Sequence, residues 1–186
     1  MEIKCKVVII TLVLLLSISC GGDSEPKEYI HTQAGFKITA PAGWQKVSED
    51  HEMYEFRSGD LKLIEVGSFY LEIPSEDLYN LSNENIHYML MKSTLEGLDG
   101  YCLEARIKDY KIEDQSETEW GGEYAYRVRA RGYSADALDQ MVVDIISMVH
   151  KEESRMYMFA SQIVESEYRK TKPDIETMIT SFTIIQ

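Results

Sequence analysis

Two apolar segments joined by a short polar turn constrain the fold of this chain more than any other feature. Residues 141–150 and 156–163 are apolar on both faces of a strand, and the polar stretch at residues 151–154 between them is typical of a hairpin loop. A strand that is apolar on both faces must be covered from two sides. The sequence therefore predicts a central antiparallel hairpin with further layers above and below it.

Most of the other predicted strands alternate apolar and polar residues, and the one at residues 61–71 is longer and has apolar residues on both faces. They lie near residues 36–40, 53–57, 61–71, 103–108 and 124–131, and an acidic link occupies residues 113–119. Pro41 and Gly43 end the first of them in a turn that leads to Trp44, which we interpret as an aromatic plug. About seven strands are expected in all, in a mainly antiparallel sheet.

Two helices interrupt the strand pattern. Apolar residues at helical spacing predict one helix from about Ser82, a plausible N-cap, to Glu96, with Gly97 as its stop. A second helix is expected to begin near Thr171, with Pro173 in its first turn. Strands and helices that are not in regular alternation indicate an α+β fold.

Two local signatures carry a resemblance to a known family. The segments FKITAPAGW at residues 36–44 and ITSF at residues 179–182, together with the order of elements, resemble the PsbP-like family over about residues 33–184. The resemblance implies an α/β/α sandwich around an antiparallel sheet of about seven strands. It also implies an accessory or binding role, because members of this group look like stabilisers of membrane complexes, a Ran-binding import factor and many bacterial lipoproteins. Neither signature is catalytic.

The start of the chain has the pattern of a bacterial lipoprotein export signal. Lys4 and Lys6 precede an apolar run at residues 7–16, which is shorter than the roughly 20 residues of a spanning helix, and small residues lead into Cys20. We predict a signal peptide at residues 1–19, a lipidated Cys20 with a flexible tether at residues 20–32, and a PsbP-like domain at residues 33–186. The alternatives are a secretory signal without lipidation and an uncleaved anchor.

Composition excludes some partners. The formal net charge of −13 disfavours nucleic acid and anionic lipid head groups, so no nucleic-acid partner is expected and membrane attachment depends on the lipid on Cys20. If Cys5 leaves with the signal and Cys20 carries lipid, Cys102 is the cysteine that remains in the domain. We interpret it as a small buried hydrophobic residue.

The one polar pattern above background is cationic. Arg127, Arg129 and Arg131 share one strand face, and Arg106 and Lys108 would share that face if the preceding strand pairs with it. We call these five residues the arginine face. Guanidinium groups bind carboxylates and phosphates in pairs of hydrogen bonds, so the face is a candidate interaction or anion-binding site. The alternative is neutralisation across the sheet by carboxylates, for which the candidates are Glu104, Glu117, Glu119 and Glu123.

Catalytic and metal motifs are missing from the sequence. His51-Glu52 is not followed by a second histidine at metalloprotease spacing, and the four histidines are scattered. Ser68 follows Gly67 in mid-strand, where a nucleophile elbow does not occur. A hydrolase would need His51 or His150 to meet a serine and a carboxylate in space. We expect no catalytic residues, no metal and no cofactor.

The sequence therefore favours a non-enzymatic accessory or protein-interaction module, anchored in the bacterial cell envelope and binding another envelope protein. Its predicted binding surface is the sheet edge, a tyrosine-rich surface or the arginine face, and its predicted location is the periplasmic face of the outer membrane or the cell surface. The alternative is a carrier or sensor of a small anionic or amphipathic ligand, in a cleft between the sheet and the first helix. An enclosed apolar pocket of about 300–1,000 Å³ with a few convergent polar groups would favour this alternative. A filled core with an exposed apolar patch would favour the interaction module.

Overall fold

The computed structural model describes residues 25–60 and 62–185. Ten strands and three helices lie within this part of the chain. The strands are β1 (Lys27–His31), β2 (Phe36–Ala40), β3 (Gln45–Glu49), β4 (Met53–Arg57), β5 (Lys62–Tyr70), β6 (Ile107–Trp120), β7 (Glu123–Ser134), β8 (Asp139–His150), β9 (Arg155–Val164) and β10 (Thr183–Ile184). The helices are α1 (Ser75–Asn80), α2 (Asn83–Glu104) and α3 (Glu165–Ser181).

Seven of the strands form one sheet. Their order is β3-β4-β5-β9-β8-β7-β6, and every neighbouring pair is antiparallel. Strands β1, β2 and β10 form a second, small antiparallel sheet. The predicted antiparallel sheet of about seven strands is confirmed, and the hairpin of β8 and β9 lies at its centre as the apolar pattern requires.

Each face of the large sheet is covered by its own layer. On β8, Ile146 packs with α3 and the small sheet, whereas Ile145 packs on the opposite face with α2. Both side chains are at most 1% exposed, and burying each one contributes about 1.5–3 kcal/mol. Layers on both faces confirm the α/β/α sandwich.

Several local predictions are confirmed by the described residues. Trp44 is 1% exposed and its indole Nε1 donates to Asp174 Oδ2 over 3.0 Å, so it is the expected aromatic plug. The Ser82 hydroxyl caps α2 by accepting from the backbone N–H of Asn85 at 3.2 Å. Residues 151–154 form the turn between β8 and β9.

Helix α2 is longer than predicted. It continues through Gly97 to Glu104, so the strand expected at residues 103–108 is wrong at its start, and β6 begins at Ile107. Leu98 and Cys102 beyond the glycine are each 1% exposed and pack on the sheet. The helix penalty of glycine, about 1 kcal/mol, is smaller than the gain from burying these side chains. A Cβ on Gly97 would lie 3.4 Å from Met158 Sδ, an ordinary van der Waals contact, so packing against the sheet does not itself require glycine here.

The segment predicted as an acidic link is part of a strand. Residues 113–119 belong to β6, which pairs with β7 and forms one edge of the large sheet. Most of its side chains are exposed, which accounts for a polar composition without an apolar period. Charged side chains on an edge strand also discourage pairing with other chains.

Helix α3 begins earlier than predicted. It starts at Glu165, directly after β9, and Pro173 lies inside the helix instead of in its first turn. Proline lacks the N–H that the helical ladder needs, which is why sequence patterns place it near a helix start. Buried Thr171 and Ile175 pack on either side of the proline, and the Thr171 hydroxyl donates to the carbonyl of Glu167 at 3.0 Å. Tertiary packing therefore carries the helix past the proline.

The beginning of the described chain is also more ordered than expected. Residues 27–31, predicted as part of a flexible tether, form β1 and pair with β2. Pairing with β2 gives the backbone of this segment its hydrogen bonds, although the polar composition is typical of a flexible segment. The predicted signal peptide and Cys20 lie outside the described residues, and the division at residues 19 and 32 stays a prediction.

Candidate functional site

The three arginines of β7 face α3 and are held in ion pairs. Arg127 donates from Nε and Nη2 to the two carboxylate oxygens of Asp144, each at 2.8 Å, and its Nη2 also lies 2.9 Å from Glu176 Oε1. Arg129 Nη2 lies 3.3 Å from Asp144 Oδ2. The alternation of β7 and the register of Arg129 opposite Asp144 on β8 place these groups on one face.

Asp144 is the buried centre of this network. Asp144 is only 1% exposed to solvent. Burial by itself lowers the pKa of Arg127, but the hydrogen bonds to Asp144 and Glu176 outweigh it and raise the pKa well above the ordinary value. Arg131 completes the row by pairing with Glu113 at 2.9 Å and with Glu165. The network fastens α3 to the large sheet.

The carboxylates in these pairs are not the ones that the sequence suggested. Glu104, Glu117, Glu119 and Glu123 were the expected partners, whereas the structure supplies carboxylates from β6, β8 and α3. The identity of the neutralising residues was therefore wrong. The alternative of neutralisation itself agrees with the structure, because each of the three arginines is paired.

The remaining two members of the arginine face lie apart from this network. Arg106 occupies the turn between α2 and β6 with a positive φ of 52°, and its Nη1 lies 3.3 Å from Asp136 in an exposed pair. Lys108 lies opposite Tyr133, next to an irregularity in the pairing of β6 with β7. Anion binding by the arginine face stays a prediction. Its three strand arginines already have carboxylate partners, with which an added anion would have to compete.

Ser68 and His51 line one small cavity of about 250 Å³, together with Glu52. The Ser68 hydroxyl donates to the carbonyl of Ala34 at 3.2 Å, and His51 Nδ1 lies 3.2 Å from Gln33 Oε1. The hydroxyl proton is thus directed at a carbonyl oxygen and not at the imidazole. General-base activation of a serine requires that contact, so this trio is not arranged as a catalytic triad.

A cleft of about 580 Å³ lies between the N-terminal part of α2 and the ends of β6, β7 and β8. We call it the α2 cleft. Buried Ile86 and Val149 form its floor, and each is at most 5% exposed. The other lining residues are polar or aromatic: Asn83, Glu84, His87, Glu117, Glu123, Tyr124 and Lys151.

Three polar side chains meet on one wall of the α2 cleft. His87 Nδ1 lies 2.5 Å from the Tyr124 hydroxyl and 3.1 Å from Glu117 Oε1. Burial, a hydrogen bond to Glu117 and the negative charge of Glu117 raise the pKa of Tyr124 to about 12. The phenol is protonated at neutral pH, and its one O–H is already engaged by the neighbouring His87 and Glu117.

Lys151 lines the α2 cleft and lies next to an aromatic ring, Tyr79, that is not itself among the lining residues. The Lys151 ammonium lies 5.9 Å from the centre of the Tyr79 ring, which is 56% exposed. Burial, Glu152 and Glu123 raise the pKa of Tyr79. The cleft thus combines an apolar floor, aromatic rings and carboxylates, a combination suited to holding a ligand or a side chain of a partner.

The sequence does not contain a local motif for the α2 cleft. Its residues come from one helix and three strand ends that are up to 68 positions apart, from Asn83 to Lys151. The general location was anticipated, because a cleft between the sheet and the first helix was the predicted ligand site. His87 is one of the four scattered histidines and was not selected as a site residue.

Other chemistry is limited in the part of the chain that the structure describes. No group of three or more potential metal-binding His, Cys, Asp or Glu side chains occurs among residues 25–60 and 62–185. Cys102 is 1% exposed, as expected for a small buried hydrophobic residue, and burial together with the charge of Asp99 raises its pKa to about 11. None of the helices in the described segments is both long and apolar enough to span a membrane.

The fold, with helices on both faces of an antiparallel sheet, defines the class of protein. The chain belongs to the PsbP family, whose model matches residues 24–184. This confirms the resemblance carried by the two sequence signatures. A comparison with curated proteins finds no match.

Solved structures share the fold at low sequence identity. Cyanobacterial PsbP from Synechocystis is 18% identical with a TM-score of 0.54, over 89% of this chain and 97% of that one. The Ran-binding protein Mog1p of Saccharomyces cerevisiae is 7% identical with a TM-score of 0.59, over 88% and 97%. LpqN of Mycobacterium tuberculosis, involved in cell envelope biogenesis, is 10% identical with a TM-score of 0.54, over 87% and 91%. At these identities the likeness shows a common fold.

Proposed function

We propose that this protein is a lipid-anchored accessory module of the bacterial cell envelope that binds another envelope protein through the α2 cleft. The observation that carries the proposal is the cleft itself: an apolar floor, a hydrogen-bonded wall and a charged aromatic rim, open at the surface of a filled three-layer core. A partner segment of mixed polarity fits such a cleft better than a single small anion, because three carboxylates line it.

The envelope location rests on the start of the sequence and on the family. An export signal ending at Cys20 supports lipidation, and a diacyl or triacyl anchor holds a protein at a membrane far more firmly than one chain does. The fold that the chain shares with LpqN, a protein involved in cell envelope biogenesis, is consistent with that location. We place the domain at the periplasmic face of the outer membrane or at the cell surface.

A non-enzymatic role is part of the same proposal. The Ser68 hydroxyl is bonded to a carbonyl, and the one histidine of the α2 cleft contacts a phenol and a carboxylate. Neither arrangement supplies an activated nucleophile next to a general base. This geometry favours the binding of a partner over catalysis.

The second candidate function is a carrier or sensor of a small amphipathic ligand. The cleft volume of about 580 Å³ falls within the range of about 300–1,000 Å³ that is usual for ligand sites. The carboxylates of Glu84, Glu117 and Glu123 disfavour an anionic ligand and favour a neutral or cationic one. Mass spectrometry of lipids and metabolites that copurify with the protein tests this candidate.

Site-specific photo-crosslinking in intact cells tests the leading candidate. A photoreactive amino acid replaces the exposed cleft residue Asn83, and a second strain carries it at Lys108 in the arginine face. We expect a discrete protein adduct from position 83. The adduct should be lost when Glu84 and Glu123 are changed to Lys, and retained when Glu96 and Glu104 are changed to Lys as a charge-matched control. An adduct from position 108 alone would move the binding surface away from the cleft.

A further inference from the structure

We propose that the α2 cleft recognises a basic side chain, arginine or lysine, presented by an extended segment of the partner protein. This inference rests on the proposed function, because it names the chemistry of the partner at the same cleft. It follows from the charges, the apolar floor and the aromatic groups that the cleft brings together.

The charge of the cleft is the first step. Glu84, Glu117 and Glu123 contribute three carboxylates, against one ammonium group from Lys151. That ammonium is held at the rim, over the Tyr79 ring. The carboxylates exceed the cation in number, so the field in the cleft attracts positive groups and repels negative ones.

The floor of the cleft distinguishes a basic side chain from a bare metal ion. Ile86 and Val149 are apolar and nearly fully buried beneath the carboxylates. Arginine and lysine have long aliphatic stems that pack on apolar surface while the charged head remains near polar groups. Metal ions instead need several oxygen or nitrogen ligands around them, and the described residues do not supply such a group.

The aromatic groups of the cleft add a second source of affinity for a cation. Tyr124 lines the cleft, whereas Tyr79 is not among the lining residues and its ring already receives the ammonium of Lys151, 5.9 Å from the ring centre. Positive groups over a tyrosine ring are attracted by its negative face. A guanidinium that enters the cleft meets carboxylates and the phenol ring of Tyr124 among the same lining residues.

The geometry favours an extended segment over a folded surface. The cleft is framed by the start of α2 on one side and by the β8–β9 turn on the other, so a flat surface would touch only the rim. A side chain from an extended segment reaches the floor at Ile86. Arginine is favoured over lysine, because its planar fork binds carboxylates through two parallel hydrogen bonds.

Fluorescence anisotropy with labelled peptides tests the proposal, using the full lipidated protein in a nonionic detergent. The probe is the blocked pentapeptide Gly-Phe-Arg-Phe-Gly, and the matched peptides carry citrulline or glutamate in place of arginine. We expect the citrulline peptide to bind about tenfold more weakly and the glutamate peptide not to bind. Affinity for the arginine peptide should fall as salt rises from about 20 to 200 mM, as screening of charge pairs requires.

Variants that replace a carboxylate with a neutral amide test whether the binding of the arginine peptide depends on the cleft. Replacing Glu84 and Glu123 with Gln should weaken binding of the arginine peptide about tenfold, whereas the control variant Glu96→Gln with Glu104→Gln, which carries the same net charge, should bind like the wild type. Both pairs are on exposed or partly exposed positions, so both variants are expected to fold. Equal binding of the arginine and citrulline peptides, or equal weakening by both variants, would overturn the proposal.

Two further outcomes separate this inference from the proposed function. If the crosslinked adduct at position 83 forms in cells but its yield is unchanged by Glu84→Gln with Glu123→Gln, the cleft binds a partner and recognition of a basic side chain is refuted. If the arginine peptide binds in the predicted manner and no adduct forms at position 83, recognition of a basic side chain stands and the envelope-partner role is refuted.

Discussion

At the scale of single residues, Asp144 is a buried charge whose stability depends on its ion-pair partners. It is 1% exposed and accepts from both Arg127 and Arg129. Breaking a buried ion pair by removing one partner leaves an uncompensated charge. We expect Asp144→Asn to lower the free energy of unfolding by about 3–5 kcal/mol, measured by urea denaturation.

A matched control for this prediction is available on the same face. Glu113→Gln removes a carboxylate partner of Arg131 whose side chain is 36% exposed. Exposed pairs contribute about 0–1 kcal/mol, so this variant should stay close to the wild type. Equal losses in the two variants would contradict a buried network centred on Asp144.

Glu65 provides a pH-dependent prediction. Burial raises its pKa, the nearby Tyr101 hydroxyl opposes the rise, and the negative charges of Glu55 and Glu104 add to it. Because the folded state holds the proton more tightly than the unfolded state, stability falls as pH rises from the ordinary pKa of glutamate towards the raised folded value. Glu65→Gln cannot ionise and should lack this fall.

The measurement is the unfolding free energy of wild type and Glu65→Gln between about pH 4 and pH 7, the range that begins near the ordinary pKa of glutamate. The stability of the variant relative to the wild type should increase across this range. Parallel curves for the two proteins would show that the Glu65 carboxyl titrates alike in the folded and unfolded states.

Residue contacts were only partly predictable from the sequence. Alternation along β7 was enough to place Arg127, Arg129 and Arg131 on one face, because the side-chain period of a strand is fixed. Their partners Glu165 and Glu176 come from α3, far along the chain. Which carboxylate meets which arginine depends on how α3 lies across the sheet, and no local pattern encodes that.

At the scale of secondary-structure elements, Pro173 inside α3 gives a direct test of how packing overrides propensity. Proline in a helix interior costs about 3 kcal/mol relative to alanine, and Pro173 is exposed, so its ring contributes little to the core. We expect Pro173→Ala to raise the free energy of unfolding by about 1–3 kcal/mol. The gain is below the full cost of the proline because alanine also increases the conformational freedom of the unfolded chain.

The control for the helix is its exposed neighbour. Lys172→Ala changes a surface position without restoring a backbone hydrogen bond, and should alter stability by less than about 0.5 kcal/mol. Thermal denaturation of the two variants compares them directly. A Pro173→Ala variant no more stable than the wild type would mean that the helix already avoids the cost of the proline.

The elements themselves were predictable where their periodicity was clear. The apolar runs of β8 and β9, the alternation of β2 and β4, and the cap at Ser82 were read correctly, because each depends on adjacent residues. Element ends were less predictable. Helix α2 passes Gly97 and α3 passes Pro173, since contacts with the sheet outweigh the local preference of either residue.

At the scale of the whole molecule, membrane attachment is expected to depend on Cys20. Cys20→Ser should release the protein from the membrane fraction into the soluble envelope fraction, because the chain is acidic and has no charge-based attraction to anionic lipid. Cell fractionation with immunoblotting measures this. The variant Cys5→Ser, within the predicted signal, is the control and should remain at the membrane.

The contrary result would be informative as well. Retention of Cys20→Ser in the membrane fraction after a high-salt wash would show an uncleaved anchor or attachment through a protein partner, in place of a lipid. Metabolic labelling with a clickable fatty acid separates lipidation from the other two cases, since only proteins that retain a lipidated Cys20 incorporate the label.

The global fold was more predictable than the binding site. The apolar central hairpin requires two covering layers, and the family signatures specify which fold supplies them. The α2 cleft is assembled from His87, Glu117, Tyr124 and Lys151, which are distant in sequence and carry no shared motif. Its location could be anticipated as the space between helix and sheet, but its chemistry became apparent only from the geometry.

A charge-swap experiment in intact cells tests the central claim, that the α2 cleft is the docking surface for a basic segment of a partner. The photo-crosslink from position 83 is measured for the wild-type cleft and for the variant Glu84→Lys with Glu123→Lys. Each is tested with the unchanged captured partner and with a partner whose contacting basic residue is replaced by glutamate. We expect the adduct to be lost when either protein alone is changed and to be restored when both changes are combined. Failure of the combination to restore the adduct, with both proteins folded and present at normal levels, would contradict this claim.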